Sequence, residues 1–592
     1  MANPSCIVVG IDYGTTYSGV AFARSGEPDR VHFVSNWNTT NFLECTKQKV
    51  PSAIYYTDGD KTPIWGYEAT SGHSLRWLKL LLLDEKDMPP HLKDSRYIRT
   101  ATRLLEKKGK HVTEAIADYL RELWKHTLVA IKKAFGERLV ALSTFKLVVT
   151  LPAIWQPYAQ MRMEQAIIMA GLLEKRAAGE STLSFLPEPE AAALACFAKM
   201  SNRPDIKKHD DFVVCDAGGG TVDIITYKIA KTSPVTVRES VPGDGRLCGA
   251  VRLDEAFESL LAQKLPKDVR KALTPAEMKR VLDINWENGI KLDFTNSDKS
   301  YPVQIPFSMS LASIRCPKDV TLKRYDIWPV FQDVLDEVSQ LVLDQIRRAV
   351  TRYRKAPKCV LLVGGFGKSR ILFDYLKQQI KVAYSGVEVI QEEGADPWTA
   401  VCHGAVIKGL TKPQSLTSSQ AKLVDSRFSR HNIGTLVNII PFDADWHDEM
   451  DKEWCPVQRL YQAADQIEWL ILKDEVIKDN EPKGFEFFQP LNEEPRQIVN
   501  DLVYSPASEA PGRCDNSVKL LCTVRWSSVP NYESLPIATT DDGFEFRELR
   551  YEIKFVTHGV SQDFQVFHNG RMVAAKSVDV DFSDSGKLVR RE

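Results

Sequence analysis

"CIVVGIDYGTTYSGVAFA", Cys6 to Ala23, and "DFVVCDAGGGTVDIITYKI", Asp211 to Ile229, carry nearly the same pattern. In each, an apolar run ends in Asp. A Gly follows two residues on, then small or hydroxyl residues, then a second apolar run. Asp12 matches Asp216, Gly14 matches Gly218, and Thr15-Thr16 match Gly219-Gly220. Short apolar runs of this kind read as buried strands, and the Gly permits a tight turn into the next strand. Backbone N–H groups in such a turn form a nest that suits phosphate oxygens. An Asp at the mouth of the turn can hold a metal ion or its waters. One hairpin of this type is a weak signal. Two point to a duplicated fold that grips one nucleotide from both sides.

The rest of the chain bounds that reading. At 592 residues it is too long for one core and splits into several domains. Its 43% hydrophobic and 26% charged residues are ordinary for a globular protein. A net charge of −1 leaves no electrostatic footprint for nucleic acid or an anionic membrane, so neither partner is expected. The opening "MANPSCIVVGIDYG" lacks a basic region followed by a long apolar stretch, and "LRWLKLLLLDE" is too short to span a bilayer. A cytoplasmic location and no membrane insertion are the resulting expectations. The 11 cysteines are scattered singly, without pairs at zinc spacing, which fits reduced thiols.

Strand and helix signals alternate from Cys6 to about Leu410, the mark of an α/β architecture. "VTEAIADYLRELWKHTLVAIKKAFG" places Ile116, Leu120, Leu123, Thr127, Leu128, Ile131 and Phe135 near one helical face, and Gly136 ends it. "TFKLVVTLPAIW" predicts a buried strand stopped by Pro152. A long helix from "YDIWPVFQDV" leads into the strand "KCVLLVGG" and the helix "SRILFDYLKQQI". After Lys412 the character changes: "TKPQSLTSSQ" reads as a polar linker, and strand-like segments dominate beyond it. Among them "FQVFHNGRMVAAK" carries Asn569-Gly570, a strong hairpin signal. The acidic, Pro-rich stretch from Asn492 to Asn516 is expected to be a long loop or partly disordered.

Three further segments carry chemistry. In "LPEPEAAALACF", Glu188 sits between a strand and an Ala-rich helix expected near Ala191. A carboxylate there is placed to orient water near a phosphate, or is simply favoured by the helix dipole. In "CVLLVGGFGKSRILFDYL", a strand runs into Gly364-Gly365, where the backbone can approach a ligand closely. "GKS" there is not a P-loop, because the Gly required five residues before Gly367 is Leu362. "GADPWTAVCHGAVIKG" reads as a helix with a small-residue packing face.

Together and in this order, the five segments resemble the nucleotide-binding domain of the heat shock protein 70 (DnaK-type) chaperones, within the actin-like ATPase superfamily, over roughly residues 5–412. The resemblance implies two lobes with duplicated, ribonuclease H-like βββαβα cores. Lobe I would span about 1–190 and lobe II about 191–395, with a return helix to 412 and a β-rich domain over 413–592. ATP or ADP with Mg2+ would lie between the lobes. Thr15, Thr16 and Tyr17 would then contact the β- and γ-phosphates, with Gly14 in the turn. Asp12 and Asp216 would hold magnesium through its waters. Glu188 would place the attacking water, Thr221 would bond the γ-phosphate or that water, and Gly218, Gly219 and Gly220 would line the second turn. Gly364 and Gly365, followed by Phe366 and Lys368, would lie against the adenosine. The family's first-lobe lysine would be Lys79, unless that residue is a solvated helix lysine. The adenine-clamping Glu–Lys pair would be Glu287 and Lys291.

Departures mark a divergent, lid-less branch. Phe366 and Lys368 stand where the family has Ser and Arg, and an Arg that stacks on adenine is not freely exchanged for Lys. Trp398 replaces an acidic residue after Pro397, and the apolar, acidic-tipped linker and acidic tail are missing. The leading expectation is a slowly ATP-hydrolysing, chaperone-like switch. Its C-terminal domain would bind an unfolded client or a dedicated partner, and a nucleotide-exchange factor would act on the cleft. The alternatives are a metabolic kinase of the same superfamily and a non-hydrolysing nucleotide-dependent scaffold.

Overall fold

The computed structural model describes residues 5–575 apart from 40–41, 58–61, 70–73, 201–204, 233–234, 306–317, 392–395, 412–423, 479–480, 527–530 and 559–560. It divides into two units, Met1–Val424 and Asp425–Glu592. The "TKPQSLTSSQ" linker, apart from Thr411, and the C-terminal "GKLVRRE" lie outside the described residues.

The first unit is mixed α/β and is built on two large sheets. In one, the strand order is His32–Phe33, Tyr17–Arg24, Ser5–Tyr13, Ser143–Leu151 and Thr182–Pro187, with Lys49–Pro51 also paired to Tyr17–Arg24. In the other, the order is Val235–Arg246, Val222–Thr232, Asp211–Ala217, Cys359–Val363 and Glu388–Gln391. Directions match as well as order. Ser5–Tyr13 is antiparallel to the hairpin strand that follows it and parallel to Ser143–Leu151. Asp211–Ala217 is likewise antiparallel to Val222–Thr232 and parallel to Cys359–Val363.

The sequence explains why these strands are central. Ile7, Val8, Val9 and Ile11 are at most 2% exposed, and Phe212, Val213, Val214 and Cys215 are fully buried. Continuous apolar runs suit strands covered on both faces, which is the situation parallel pairing with helical crossovers creates. The helices supply the cover. Val112–Phe135 buries Ile116, Leu120, Leu123, Thr127 and Ile131, and Gly136 caps it as its sequence predicts. Arg324–Tyr353 lays Phe331, Leu335, Val338, Val342 and Ile346 into the core beneath the second sheet. Glu188–Met200 and Asp396–Leu410 carry Ala191, Ala192, Ala193, Leu194, Ala400 and Ala405 into another shared core. The Ala-rich helix starts at Glu188, three residues before its expected start, so Glu188 sits in its first turn.

The second unit is β-rich. One five-stranded sheet runs Lys452–Cys455, Leu460–Ile471, Asn432–Ile439, Ile498–Ser505 and Lys519–Trp526. The other holds Lys483–Leu491, Ile537–Thr539, Glu545–His558, Ser561–His568 and Arg571–Ala575. Ile433, Leu502 and Val524 of the first share a core with Leu549, Ile553 and Phe555 of the second. Asn569 and Gly570 both take positive φ, at 48° and 73°, and join the final hairpin as expected. One expectation fails here. The stretch from Asn492 to Asn516 contains the strand Ile498–Ser505, paired on both sides. Glu493, Glu494 and Pro495 dominate its composition, yet Ile498, Asn500 and Leu502 alternate inward and are buried. Period-2 alternation outweighs local charge when both strand edges find partners.

Candidate functional site

The two Asp-x-Gly turns meet. A methyl group placed on Gly220 would run into the Thr15 side chain, and one on Gly219 would lie 3.0 Å from the Thr16 Cγ2. Only glycine lets the two turns approach this closely. Ser52 braces the first turn, its hydroxyl donating to the Gly14 carbonyl at 2.7 Å and its amide donating to the Thr16 carbonyl at 2.8 Å. Behind the turns sits a cluster of buried ionisable groups: Asp12, Lys49, Lys79, Glu188, Asp216 and Asp223, each 8% exposed or less. Buried charges are uncommon unless paired, so such a cluster needs an account.

Two of the carboxylates have their own cations. Lys79 lies in the short helical turn Leu78–Leu82, is buried rather than solvated, and forms an ion pair with Glu188. Its ammonium also stands 5.6 Å from the centre of the Trp155 ring. Lys49 reaches Asp12, with Nζ 2.5 Å from Oδ2. Among the described residues Asp216 and Asp223 form no ion pair of their own, and Lys49 and Lys79 draw them down only from a distance. Burial and the neighbouring Glu188, Asp223 and Asp12 charges push Asp216 well above the carboxylate range. Burial, then Glu188, pushes Asp223 up to about 7, although Thr221 and the Ala153 amide, 2.8 Å from Oδ1, hydrogen-bond it. The other oxygen of Asp223, Oδ2, has no hydrogen-bond partner in the protein. Two buried carboxylates with no ion pair among the described residues, one of them with an orphaned oxygen, are the kind of donors a hard cation takes.

The residues expected against an adenosine come from segments that follow the second sheet and from neighbouring helices. Gly364 follows the strand Cys359–Val363 with φ at 89°, tight against the Asp216 carboxylate, where a side chain could not fit. A methyl on Gly365 would lie 3.5 Å from the Trp398 indole nitrogen. Trp398 meets Tyr17 edge-on at 5.5 Å between ring centres and has the Lys368 ammonium 5.5 Å from its own ring centre. Phe366 differs from its expected place. It is 3% exposed and packs in the second-lobe core with Leu362 and Leu372, because a strand-to-helix turn following Val363 directs that side chain inward.

Glu287 and Lys291 pair at 2.7 Å, and Lys291 also pairs with Asp254 at 2.8 Å. They lie on and just after a π-helical turn, Leu282–Ile290, anchored by Trp286, which stacks on Phe257 and donates to Asp254. Such widened turns are frequent at functional sites. The Ser369 hydroxyl donates to the Lys291 carbonyl at 3.2 Å, so this helix and the Gly364–Lys368 segment are in contact. Glu287 also lines a cleft with Thr15, Thr16, Tyr17, Arg76 and Trp286.

Two residues of the buried cluster escape a reading by motif. Asp223 stands inside the quoted "GGGTVDI", and only its cross-strand pairing with Asp216 brings it to the turn. Lys49 lies 37 residues from Asp12 and follows no motif.

Curated proteins of known family are similar to this chain in sequence. The chain is 25% identical to human heat shock 70 kDa protein 12B over 319 residues, covering 44% of this chain and 45% of that protein. It is 24% identical to human heat shock 70 kDa protein 12A over 318 residues, covering 44% and 46%. To chaperone protein DnaK of Mycoplasmopsis agalactiae it is 25% identical over 324 residues, covering 54% and 45%. This chain is a divergent relative of the heat shock protein 70 family. It spans about half the length of the curated relatives it matches. No protein-family model matches it. Among the described residues no helix is long and apolar enough to cross a membrane.

Proposed function

We propose that the first unit is an ATP-binding, slowly ATP-hydrolysing switch of the chaperone type, its two sheets being the copies of a duplicated βββαβα core. The observation that carries this reading is the meeting of the two glycine turns over a buried cluster of alternating acid and ammonium groups. Phosphoryl transfer to water needs little covalent help and depends on positioning and charge neutralisation. The backbone of both turns, with Thr15, Thr16 and Tyr17, holds the phosphates. Glu188, raised by burial and oriented by Lys79, receives a proton from the attacking water. Thr221 bridges the γ-phosphate side of the second turn to Asp223. Asp216 and Asp223 would hold magnesium, which when bound neutralises charge on the phosphate oxygens. Asp12 shares that region with Lys49. Gly364, Gly365, Lys368, Glu287 and Lys291 bound the adenosine. Because each turn belongs to a different sheet, loss of the γ-phosphate removes the ligand that joins them, which suits a nucleotide-controlled clamp.

The second unit is proposed to contact a client protein or dedicated partner. Trp446 and Met450 are 84% and 80% exposed, and Trp454 and Tyr461 are about half exposed on neighbouring strands. Apolar exposure of this kind marks interaction surfaces.

The test is a melt of the full chain with ATP, ADP and neither, followed by phosphate release. ATP raises the melting temperature, as mass action requires of a native-state ligand. Glu188→Ala and Thr221→Ala retain that rise while hydrolysis falls about 100-fold. No shift with any nucleotide sinks the reading. Unchanged phosphate release in both variants removes Glu188 and Thr221 from the chemistry.

A further inference from the structure

Asp12, Gly19 and Lys49 lie in one register row across three strands. Asp12 pairs with Gly19 across the first hairpin, and Gly19 pairs with Lys49 on its other side. Neighbouring strands stand about 4.8 Å apart, so Lys49 and Asp12 are second neighbours with a strand between them. They meet because the middle residue has no side chain. Lys49 lies flat over Gly19, its Cγ and Cε each 3.0 Å from where a Cβ would stand, and its ammonium arrives 2.5 Å from Asp12 Oδ2. Gly19 is therefore a channel cut for this lysine.

The ammonium it delivers is charged and under-used. Lys49 is 6% exposed, and its ion pair with Asp12 is the contact that lets a charge stand there. An ammonium has three donors, and Asp12 accepts one. Lys49 also acts on Glu188 and on Lys368, so its charge is felt on both sides of the cleft. Lys368 approaches from the second lobe with no carboxylate partner among the described residues, and it is held below its usual range by burial and by Lys47 and Lys49.

We propose that Lys49 is a phosphate-binding residue whose buried ammonium holds the polyphosphate of the nucleotide even when divalent metal is removed. The inference rests on the nucleotide reading above and deepens it. Metal at Asp216 and Asp223 would then serve hydrolysis, whereas retention of the nucleotide belongs to Lys49. A lysine donor to a phosphate oxygen is a charge-assisted hydrogen bond, stronger than a neutral one in a water-poor site.

The experiment measures nucleotide affinity of the full chain by calorimetry and thermal shift, in EDTA and in magnesium, with ATP and with inorganic tripolyphosphate as probes. Wild type binds ATP in EDTA within about threefold of its affinity in magnesium, and Lys49→Met loses about tenfold or more in EDTA. Magnesium restores much of the loss in Lys49→Met, because the metal then supplies the missing charge. ATP binding that vanishes in EDTA for wild type overturns the proposal, as does unchanged EDTA affinity in Lys49→Met. The wild-type comparison needs no variant and decides the matter if Lys49→Met does not fold. Lys49-dependent binding of tripolyphosphate without any binding of ATP would keep the phosphate seat and sink the nucleotide reading. Absence of binding by both probes sinks both.

Discussion

The same three-strand row occurs in both large sheets, with different chemistry. In the first it reads Asp12, Gly19, Lys49; in the second it reads Asp216, Asp223, Gly245. The spacing from the turn is identical, since Asp12 pairs with Gly19 and Asp216 pairs with Asp223. The first row carries one acid and one ammonium in contact. The second carries two acids and no cation, and both are pushed upward by burial and then by the Glu188 charge. A repeated backbone pattern thus carries one charge-balanced row and one row of two acids. The difference teaches that the repeat fixes where charges stand and the middle and edge residues decide their sign. One wall suits phosphate oxygens, the other a cation.

The largest expected effect breaks the symmetry between the rows. Asp12→Asn leaves Lys49 buried without its partner and destabilises the chain by about 3 kcal/mol, since an orphaned buried charge is costly. Asp223→Asn removes a carboxylate with an unsatisfied oxygen and is neutral or stabilising by about 1 kcal/mol in the absence of nucleotide, while hydrolysis falls about 100-fold. Urea midpoints of the two variants beside wild type check the contrast. Equal losses in both would erase the distinction between the walls.

Next in size is the pH dependence. An Asp titrates near 3.9 in the unfolded chain, and Asp223 is raised to about 7 in the folded one. The folded state then binds more protons between those values, so this group's contribution to stability is full below about pH 4 and is lost as pH rises towards 7. The slope is at most about 1.4 kcal/mol per pH unit. Asp223→Asn should flatten it, read as the difference in melting temperature between variant and wild type from pH 5 to pH 7.5. A parallel pair of curves would place the proton elsewhere.

The smallest effect probes the channel. Gly19→Ala sets a methyl where the Lys49 stem lies, at a cost of about 1 kcal/mol. It should also weaken metal-free ATP binding a few-fold without removing any charge. Full affinity in Gly19→Ala would show that Lys49 does not depend on that path.

Local patterns carried much of this architecture. The Asp12 and Asp216 turns are legible because Gly two residues after the Asp and apolar runs on both sides are contiguous in sequence. The helix Val112–Phe135 is legible for the same reason, its apolar stripe and its Gly136 stop lying within one segment. Ile498–Ser505 was obscured because Glu493, Glu494 and Pro495 set the local composition, whereas its partners Asn432–Ile439 and Lys519–Trp526 lie elsewhere in the chain. Lys79 was open between two readings until its burial against Glu188 excluded the solvated one.

The sequence by itself determined that two Asp-x-Gly turns exist, that an α/β unit precedes a β-rich one, and which acids stand beside the glycines. Turn geometry and burial preference are properties of adjacent residues, so a linear reading reaches them. Only the tertiary structure decided that the turns meet, that Asp223 shares the wall of Asp216, and that Lys49 crosses an intervening strand to Asp12. Those outcomes depend on register between strands far apart in the chain. A shift of one residue in any pairing would turn the lysine to the other face of the sheet and leave Asp12 without its cation.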